Sequence, residues 1–388
     1  MLTGYDIIYI AGHDFNLEDC RISTDHIAQQ LARHNRILYV ESVGLRRPRL
    51  EKNDLARIGQ KLARFIRPPR QVGRRFWVIT PLAVPLHHRP AVRRLNQALL
   101  LGQIRWASTL LKFRKPILFV FLPHMAGIIG HMGESLSVYY CTDEHAAFPG
   151  VDGNSIRRAE MALLRRVTLG FATSPEILKN KKRINPNFYY SPHGVDFDNF
   201  ARAQDQTLSI PEDVRNLPHP LIGYFGAIDR WLDFGLIEYL ARSRPGWSFV
   251  FIGKKATDVA ALSALPNVHF LEKRPFQELP LYGRTFDAAI IPFRIDDLTV
   301  SVSPIKLKEY LAMGKPVVST PLPAVVDYAA EGGLVEVAGN AEEFLVLLEG
   351  ALRGDSLELM LARQESVRGD TWEARAKQVG NVIEEWLR

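Results

Sequence analysis

Residues 303–320 read SPIKLKEYLAMGKPVVST, and this stretch decides the fold class. Ser303 is a natural N-cap, so the pattern predicts a helix over Ile305–Met313 that ends at Gly314. An apolar, β-branched strand over Pro316–Ser319 follows after a short turn. A helix that leads directly into a buried strand is the repeating unit of parallel α/β sheets.

The same alternation runs outward from this stretch along the whole chain. Apolar runs bounded by turn residues predict strands at Asp6–Ile10, Arg36–Val40, Phe76–Thr80, Ile117–Phe121, Ser137–Cys141, Leu169–Thr173, Phe188–Tyr190, Pro220–Phe225, Ser248–Ile252, Val268–Leu271, Ala288–Pro292, Pro316–Ser319 and Leu334–Val337. Helical periodicity between them predicts Thr24–Ala32, Pro90–Phe113, Ile156–Arg166, Gly235–Arg242 and Ile305–Met313. This βαβ order occurs twice and predicts an α/β protein with two Rossmann-like, parallel-sheet domains.

The length of 388 residues also favours two domains, because it exceeds what one hydrophobic core usually serves. Residues 201–218 are polar and carry two prolines, so the linker is predicted there. The predicted domains are then residues 1–200 and 219–370, followed by a helical segment, 371–388. Functional residues are expected just after strands, because open α/β sheets bind ligands at the carboxyl ends of their strands.

The composition excludes disordered, collagen-like and coiled-coil proteins, since 47% of the residues are hydrophobic, 23% are charged and no repeat occurs. The two cysteines, Cys20 and Cys141, cannot form a disulfide framework or a four-ligand zinc site, which favours a reducing compartment. No basic leader precedes the first apolar run, so a secretory signal is not expected. The predicted location is therefore cytoplasmic.

Positive charge is concentrated in residues 46–115, which hold 18 Lys or Arg against 2 acidic residues, a local net charge of +16 in a chain of +7. Within this region Asp54–Arg67 predicts an amphipathic helix with apolar and basic faces. Such a helix suits an anionic membrane surface, and a solvated helix packed on its own domain is the alternative. Nucleic acid is not predicted as a partner, because no recognised nucleic-acid-reading motif accompanies the basic residues.

The start of the helix over Ile305–Met313 is expected to bind an anion. Pro304 suits a first helical turn, and the free N–H groups and positive dipole end of the helix attract negative charge. Lys306 can neutralise a diphosphate, and Glu309 can accept hydrogen bonds from ribose hydroxyls. The alternative is an exposed Lys–Glu pair beside an ordinary helix cap.

These residues resemble the C-terminal domain of GT-B glycosyltransferases that use sugar nucleotides, in which an acidic residue precedes a small-Gly-Lys-Pro-Val turn. The resemblance covers essentially the whole chain and extends to Cys141–Gly150, Ser191–Phe200, Ile222–Phe234 and Asn267–Pro280. It is strongest to bacterial exopolysaccharide and teichuronic-acid-type transferases, including the membrane-associated glucuronosyltransferase of xanthan assembly. It implies two domains facing across a cleft, an acceptor-binding and a nucleotide-sugar-binding one, with residues 371–388 crossing back to the first.

The resemblance also implies a donor site in the second domain. Arg230 stands where relatives carry a phosphate-binding Arg, and Lys273 and Arg274 occupy the loop that holds the nucleobase. The Lys that many relatives place five residues after the Arg is replaced by Gly here, so Lys306 or Lys254 is expected to do its work. The predicted donor-binding residues are Gly226, Arg230, Lys273, Arg274, Ser303, Lys306 and Glu309.

The predicted catalytic residue is Asp143. It lies in the segment VYYCTDEH, just after the predicted strand Ser137–Cys141. An Asp at the corresponding place in the xanthan-type enzyme looks like the base, and an inverting transfer needs a carboxylate or a His to take the proton of the acceptor hydroxyl. An Asp that caps the next turn is the alternative. The other predicted acceptor-side residues, which also follow strands, are Gly12, His13, Asp14, His124, Glu144 and His145.

Two departures from known patterns limit the mechanism. Many retaining relatives have two Glu residues eight positions apart, and here Ser301 takes the place of the first while Glu309 is the second. This puts a retaining mechanism in question and leaves the stereochemical outcome open. Asp196 and Asp198 spell a D-x-D metal motif, but outside the place where metal-dependent transferases of the other major fold carry it. No metal and no cofactor are therefore predicted, the nucleoside-diphosphate sugar being a substrate.

Together these features predict a glycosyltransferase that moves a sugar from a nucleoside-diphosphate sugar, with uridine as the favoured base, to a lipid-linked or polysaccharide acceptor. The expected place is the inner face of the cytoplasmic membrane. Two alternatives remain open from the sequence: a non-hydrolysing sugar-nucleotide epimerase on the same fold, and a non-catalytic glycan-binding or scaffold protein.

Overall fold

In the computed structural model of the chain the described residues are 2–15, 22–42, 68–84, 90–148 and 150–388. The chain forms two compact units. The first unit comprises Met1–Thr173, Ile177–Ser191 and Ala376–Arg388, and the second comprises Ser174–Glu176 and Pro192–Arg375. Each unit is built on one largely parallel sheet with helices, so the predicted α/β class with two Rossmann-like domains is confirmed.

The described part of the first unit contains an eight-stranded sheet. Its strands are β1 (Asp6–Ile10), β2 (Arg36–Val40), β3 (Arg70–Gly73), β4 (Phe76–Ile79), β5 (Ile117–Val120), β6 (Leu136–Cys141), β7 (Leu169–Ala172) and β8 (Phe188–Tyr190). They lie in the order β3-β4-β2-β1-β5-β6-β7-β8, and all neighbours are parallel except β3 and β4. The strand order therefore reverses between β1 and β5, where open α/β sheets bind their ligands.

The second unit contains a six-stranded, parallel sheet. Its strands are β9 (Leu221–Phe225), β10 (Ser248–Ile252), β11 (Val268–Leu271), β12 (Ala288–Ile291), β13 (Val317–Ser319) and β14 (Glu336–Val337). Their order is β11-β10-β9-β12-β13-β14, so the reversal falls between β9 and β12. Strands such as β9, β10 and β12 are buried along their whole length, as expected when both faces of a parallel sheet are covered.

Helices connect these strands. In the described residues they are α1 (Ser23–Ala32), α2 (Pro90–Leu110), α3 (Gly153–Leu164), α4 (Pro175–Lys182), α5 (Phe197–Ala201), α6 (Glu212–Arg215), α7 (Phe234–Ser243), α8 (Ala260–Ser263), α9 (Leu279–Thr285), α10 (Ile305–Ala312), α11 (Pro323–Gly332), α12 (Ala341–Gly354), α13 (Leu357–Arg368) and α14 (Trp372–Leu387). Short 3₁₀ turns at Pro123–Gly127, His145–Ala147, Arg202–Gln204, Phe276–Glu278 and Thr299–Ser301 complete the connections.

One strand was not predicted. β3 has the sequence RQVG and pairs with β4 as an antiparallel hairpin at the edge of its sheet. It is mostly exposed and carries almost no apolar residues, so no hydrophobic pattern marks it. The short turn to β4 fixes its register. The strand is therefore defined by its pairing with β4 and not by its own residue types.

The segment predicted as a linker belongs to the second unit. Phe197, Phe200, Ala203 and Val214 are buried in the core of that unit, so residues 192–218 pack on it rather than connecting two bodies. Only Ala203 and Val214 of these buried residues lie within 201–218, so the polar pattern of that segment gave no sign of its packing. Helix α14 begins in the second unit, and from Ala376 onward it belongs to the first.

The predicted amphipathic helix Asp54–Arg67 and Cys20 lie outside the described residues, as do residues 43–67 and 85–89 as a whole. In the ranges that are described, no helix combines the length and the apolar character needed to span a bilayer.

Candidate functional site

Most predicted donor residues lie in the segments that follow two strands at one edge of the second sheet. Gly226 and Arg230 follow β9, and Ser303, Lys306 and Glu309 lie in the segment that follows β12. β9 and β12 are neighbours at the point where the strand order reverses, so these two segments leave the sheet on either side of the expected binding crevice. The remaining two, in the loop after β11, leave the sheet two strands away.

Helix α10 starts without a side-chain cap. Pro304 is its N-cap, with an extended backbone (φ −72°, ψ 111°), and no side chain accepts a hydrogen bond there. Ser303 stands one residue further out, so the prediction that it caps the helix is wrong. The extended conformation of Pro304 delays the helix to Ile305 and leaves its first N–H groups without a side-chain acceptor, which suits an anion.

Lys306 packs directly on Gly226. Gly226 has a φ of +149°, and a Cβ added to it would lie 2.8 Å from Cε of Lys306 and 2.7 Å from the hydroxyl of Tyr224. A Cβ added to Gly253, after β10, would lie 1.8 Å from the carbonyl oxygen of Gly226. Only glycine fits in either place, so the loops after β9 and β10 approach each other as bare backbone beside a cation.

Glu309 is buried, whereas Lys306 is half-buried and forms no ion pair within the described residues. The two are therefore not the exposed Lys–Glu pair of the alternative interpretation. Burial, together with the nearby Glu309 carboxylate, raises the pKa of the Tyr224 hydroxyl, and the same carboxylate contributes to the raised pKa of Tyr310. Glu309 thus lies close to two neutral tyrosines.

These two tyrosines brace the loop after β9, and the sequence patterns did not reveal them as part of the site. The Tyr224 hydroxyl donates to the carbonyl of Ala227 (3.1 Å), and the backbone N–H of Phe225 donates to the hydroxyl of Tyr310 (3.0 Å). Both therefore fix the backbone around Gly226. The available signal was the position of Tyr310 directly after Glu309 on α10.

The other predicted donor residues differ in their surroundings. Arg230 and Lys273 are exposed. The guanidinium of Arg274 lies 2.6 Å from the carboxylate of Asp213 and stacks over the ring of Tyr282 at 5.6 Å. Arg274 therefore holds α6 and α9 together, and any contact with a nucleobase would have to come from its backbone or follow a change of partner.

Lys315, the lysine of the Gly-Lys-Pro turn, has a structural role. Lys315 is half-buried and donates hydrogen bonds to the carbonyls of Phe286 (2.7 Å) and Arg284 (3.2 Å), and desolvation lowers its pKa to about 8. Gly314 before it has a φ of +73° and ends α10, as predicted. This turn fastens α10 to the end of α9 and so fixes the direction of the helix.

His193 is half-buried beside the two lysines of α10, with its Nδ1 atom fully buried. The Nζ of Lys308 donates to the backbone carbonyl of His193 (2.8 Å), and its ammonium also pairs with Asp370 (2.6 Å). Burial, followed by the charges of Lys308 and Lys306, lowers the pKa of His193 to about 3. The imidazole is therefore neutral at physiological pH, and the positive charge beside it belongs to the two lysines.

In the first unit, His13 follows β1 and forms a compact polar cluster. Its Nε2 lies 2.8 Å from Oδ1 of Asp25 and 3.0 Å from the hydroxyl of Tyr39, which also donates to Asp25 (2.6 Å). Asp25 is almost fully buried, and His13 is partly exposed. The sequence patterns gave no reason to connect Asp25 or Tyr39 with His13, because α1 and β2 bring them there from elsewhere in the chain.

Gly12 and Asp14 flank His13 and are exposed. A Cβ added to Gly12 would lie 2.9 Å from Cδ2 of Leu122, so the loop after β1 touches the segment after β5. His124 lies in the 3₁₀ turn of that segment. The structure thus brings Gly12 close to the segment that carries His124, at the reversal point of the first sheet.

The three candidates after β6 differ sharply in their surroundings. Asp143 is partly exposed, and its carboxylate makes no hydrogen bond or ion pair with the described residues. Glu144 is held by the ammonium of Lys181 at 2.9 Å. The Nε2 of His145 is buried without a hydrogen bond from the described part of the chain. A carboxylate without a protein partner is the one available to accept a proton, which favours Asp143.

A buried polar network lies beneath this segment. Lys181 donates to Glu144 and to Oε2 of Glu160 (2.8 Å), and the hydroxyl of Tyr139 donates to Oε1 of Glu160 (2.8 Å). Burial opposes the charge on Lys181, but the carboxylates of Glu160 and Glu144 raise its pKa. Burial also raises the pKa of the Cys141 thiol, which is therefore protonated and unreactive.

The D-x-D segment has a structural role. The carboxylate of Asp196 accepts a hydrogen bond from the N–H of Asn199 (3.3 Å) and caps α5, and burial raises its pKa. Within the described residues no group of three or more His, Cys, Asp or Glu side chains has the arrangement of a metal site.

Comparisons of sequence place this chain beside known glycosyltransferases. Residues 219–352 match the family model described as glycosyl transferases group 1. TuaH of Bacillus subtilis (strain 168), whose name assigns it to glycosyl transfer in teichuronic acid biosynthesis, is 31% identical over 206 residues. This match covers 48% of the present chain and 51% of TuaH, so the chain spans about half the length of the curated relative it matches.

Solved structures are similar over nearly the whole chain. Sucrose-phosphate synthase from Thermosynechococcus elongatus has a TM-score of 0.74 at 13% identity, with 98% of both chains covered. HepE from Anabaena in complex with UDP and glucose has a TM-score of 0.65 at 13% identity, covering 98% of this chain and 99% of HepE. The E. coli trehalose-6-phosphate protein bound with UDP-2-fluoro glucose reaches 0.67 at 10% identity and 99% coverage of both.

Identities this low establish the fold alone. The shared fold agrees with the strand orders described above and with the resemblance drawn from the sequence motifs. The protein therefore has the GT-B fold, and its residues 219–352 match the model of glycosyl transferases group 1.

Proposed function

We propose that this protein is a glycosyltransferase that moves a sugar from a uridine-diphosphate sugar to a lipid-linked or polysaccharide acceptor during synthesis of a bacterial cell-envelope or extracellular glycan. The group 1 domain at residues 219–352 and the similarity to TuaH support the reaction class and its context. The UDP and UDP-sugar molecules in the HepE and E. coli structures support the donor class.

The observation that carries the proposal is the contact of Lys306 with Gly226 beside the uncapped start of α10. A diphosphate has two anionic groups that need a cation, N–H donors and backbone without side chains in the way. Lys306, α10 and Gly226 supply these in that order, and the exposed Arg230 adds a second cation. Glu309, buried one turn further along α10, is proposed to accept hydrogen bonds from sugar or ribose hydroxyls. Contacts of Lys273, Arg274 and Ser303 with the donor remain part of this proposal.

The chemistry follows from these groups. The acceptor hydroxyl oxygen forms a bond to the anomeric carbon of the sugar while the bond from that carbon to the donor phosphate oxygen breaks. The nucleoside diphosphate leaves with the bonding electrons, and Lys306, Arg230 and the dipole of α10 stabilise its charge without a metal ion or a cofactor. Asp143 accepts the proton of the acceptor hydroxyl. Gly12, His13, Asp14 and His124 contact the acceptor, with Glu144 and His145 beside the base.

The acceptor and the charge distribution suggest where this happens. Residues 46–115 hold 18 Lys or Arg against 2 acidic residues, a charge that attracts the anionic inner face of the cytoplasmic membrane. A lipid-linked acceptor would be presented at that surface. The proposed location is therefore peripheral, on the cytoplasmic side.

A donor screen followed by a transfer assay tests the proposal. UDP and UDP-sugars should raise the melting temperature of the protein, because a ligand bound only by the folded state stabilises it. Lys306→Ala should abolish this shift, and Lys377→Ala, at an exposed position of α14, should retain it. Release of UDP that requires a lipid or glycan acceptor supports transfer. Isomerisation of the donor without acceptor would instead establish an epimerase, and binding without turnover would establish a non-catalytic protein.

A further inference from the structure

Helix α2 has an apolar face on the side opposite to its core contacts. Ile104 and Ala107 are fully buried and point into the core of the first unit, together with Leu100. At 3.6 residues per turn, Leu95, Gly102 and Trp106 lie on the opposite side. A surface helix normally presents charged or polar residues there.

The exposed residues of this face are almost all uncharged. Leu95 is 49% exposed, Trp106 50% and Leu110 53%. Ala98 and Gly102 lie between Leu95 and Trp106, Ala91 lies one turn before Leu95, and all three are exposed, as is the uncharged Thr109. The resulting stripe, defined here as the α2 apolar face, runs for about 22 Å from Leu95 to Leu110. Isolated exposed apolar residues are common, but a continuous stripe of this length marks a binding surface.

Positive charge borders the α2 apolar face. Arg94 and Arg105 lie along one side of it and are exposed, and the backbone carbonyl of His131 holds the Arg105 guanidinium at 2.7 Å. Lys112, Arg114 and Lys115, also exposed, follow at the end of the helix. Residues 90–115 contain 6 Lys or Arg and no acidic residue. A protein partner for this face would need acidic groups arranged around an apolar centre. An anionic bilayer offers negatively charged headgroups and an apolar interior over a wide area.

We propose that the α2 apolar face inserts into the interfacial layer of an anionic membrane, with Trp106 as its anchor and the surrounding Arg and Lys residues bound to lipid phosphates. Trp suits this depth because its ring is apolar and its N–H remains hydrogen-bonded to headgroups or water. The proposal builds on the proposed function, since a lipid-linked acceptor explains why the enzyme sits at a membrane. It assigns the apolar part of the contact to described residues, separately from the charge of residues 46–67.

Vesicle sedimentation with the full chain tests this surface. The wild-type protein should bind phosphatidylcholine vesicles that contain phosphatidylglycerol at roughly 0.1 M NaCl and retain part of this binding at about 1 M, where charges are screened. The double variant Leu95→Ser/Trp106→Ala should lower the partition coefficient by about tenfold or more and remove the salt-resistant part. Arg94→Gln/Arg114→Gln should lower binding only at the lower salt concentration.

Leu361→Ser is the matched control, because Leu361 is 52% exposed on α13 in the second unit and has no basic border of this kind. It should bind like the wild type. Equal vesicle binding by the wild type and Leu95→Ser/Trp106→Ala would overturn the proposal. So would a lipid-free dimer that depends on Trp106, detected by sedimentation velocity, because a second copy would then occupy the face. The UDP-induced rise in melting temperature is measured in parallel: its absence from all variants and the wild type would reject the donor site without affecting the membrane result.

Discussion

The ammonium of Lys181 lies 2.9 Å from the carboxylate of Glu144, although 37 positions separate the two residues in the sequence. This ion pair distinguishes two adjacent carboxylates that look alike in the sequence. Glu144 has a buried cation as its partner, whereas Asp143 has none in the described part of the chain. Lys181 therefore holds the carboxylate of Glu144 in place, while that of Asp143 is not engaged by the described residues, which favours Asp143 as the proposed base.

Substitution of the proposed base separates catalysis from binding. Asp143→Asn should lower kcat by about 10²–10⁴-fold, the range of a lost general base, and leave the affinity for UDP unchanged. Glu144→Gln should lower kcat far less, because its effect acts only through Lys181. His13→Gln is the informative rival, since His13 already has a buried carboxylate partner in Asp25. A large loss of kcat in His13→Gln with normal rates in Asp143→Asn would transfer the role of base to His13.

The buried network beneath Asp143 should contribute strongly to stability. Lys181→Met removes the cation shared by Glu144 and Glu160 and should lower the free energy of unfolding by about 3–5 kcal/mol, because it leaves buried charges unpaired. Lys182→Met, at the exposed neighbouring position of α4, should change it by less than about 0.5 kcal/mol. Urea denaturation measures both. Similar midpoints for the two variants would contradict a stabilising role for the network.

The glycine under Lys306 should tolerate no side chain. Gly226→Ala forces a Cβ against Tyr224 and Lys306 at a φ of +149°, so it should lower the free energy of unfolding by about 1–3 kcal/mol and weaken UDP binding. Gly350→Ala, in the middle of α12 with open space around it, should instead raise stability by about 0.5–1 kcal/mol. Calorimetry with and without UDP distinguishes the two. Unchanged UDP affinity in Gly226→Ala would exclude Gly226 from the donor site.

His193 predicts a pH dependence of stability on the acid side. Its pKa is lowered to about 3 in the folded protein and is about 6.5 in an unfolded chain, so the unfolded state binds the proton more tightly. Stability should be fully present above pH 6.5 or so and decline as the pH falls through this window towards about 3. His193→Asn should flatten the melting temperature between these pH values, whereas His34→Asn, at an exposed position, should not. Parallel curves for the wild type and His193→Asn would refute the assignment.

The regular elements could be predicted well because their signals are local. β1, β2 and β10 have the predicted bounds, and α10 begins at the predicted residue and ends one residue earlier. Periodicity and turn residues act over a few positions, so one sequence contains them. The cap of α10 was misplaced because the backbone conformation of Pro304, not its residue type, decides where the helix starts.

The site could be predicted only as a set of candidates. Residue types and their positions after strands pointed to Lys306, Glu309, Asp143 and His13. The structure brings Lys306 beside Gly226 and Glu309 near Tyr224 and Tyr310, and it places the last two at the carboxyl edge of the other sheet. It did not follow from the sequence that Arg274 is paired with Asp213 or that Lys315 donates hydrogen bonds to the carbonyls of Arg284 and Phe286. Both facts depend on which distant segments pack together.

The amino-acid sequence by itself determined every described strand except β3, and the α/β class with two Rossmann-like domains, because hydrophobic periodicity records burial locally and repeats along the chain. The GT-B assignment rested instead on the resemblance of its motifs to that family. Only the tertiary structure decided that residues 192–218 pack on the second unit, that Asp25 faces His13, and that Lys181 engages Glu144 but not Asp143. Such pairings arise where strands from distant parts of the chain end side by side, and no local pattern of residues specifies the neighbour that a side chain will meet.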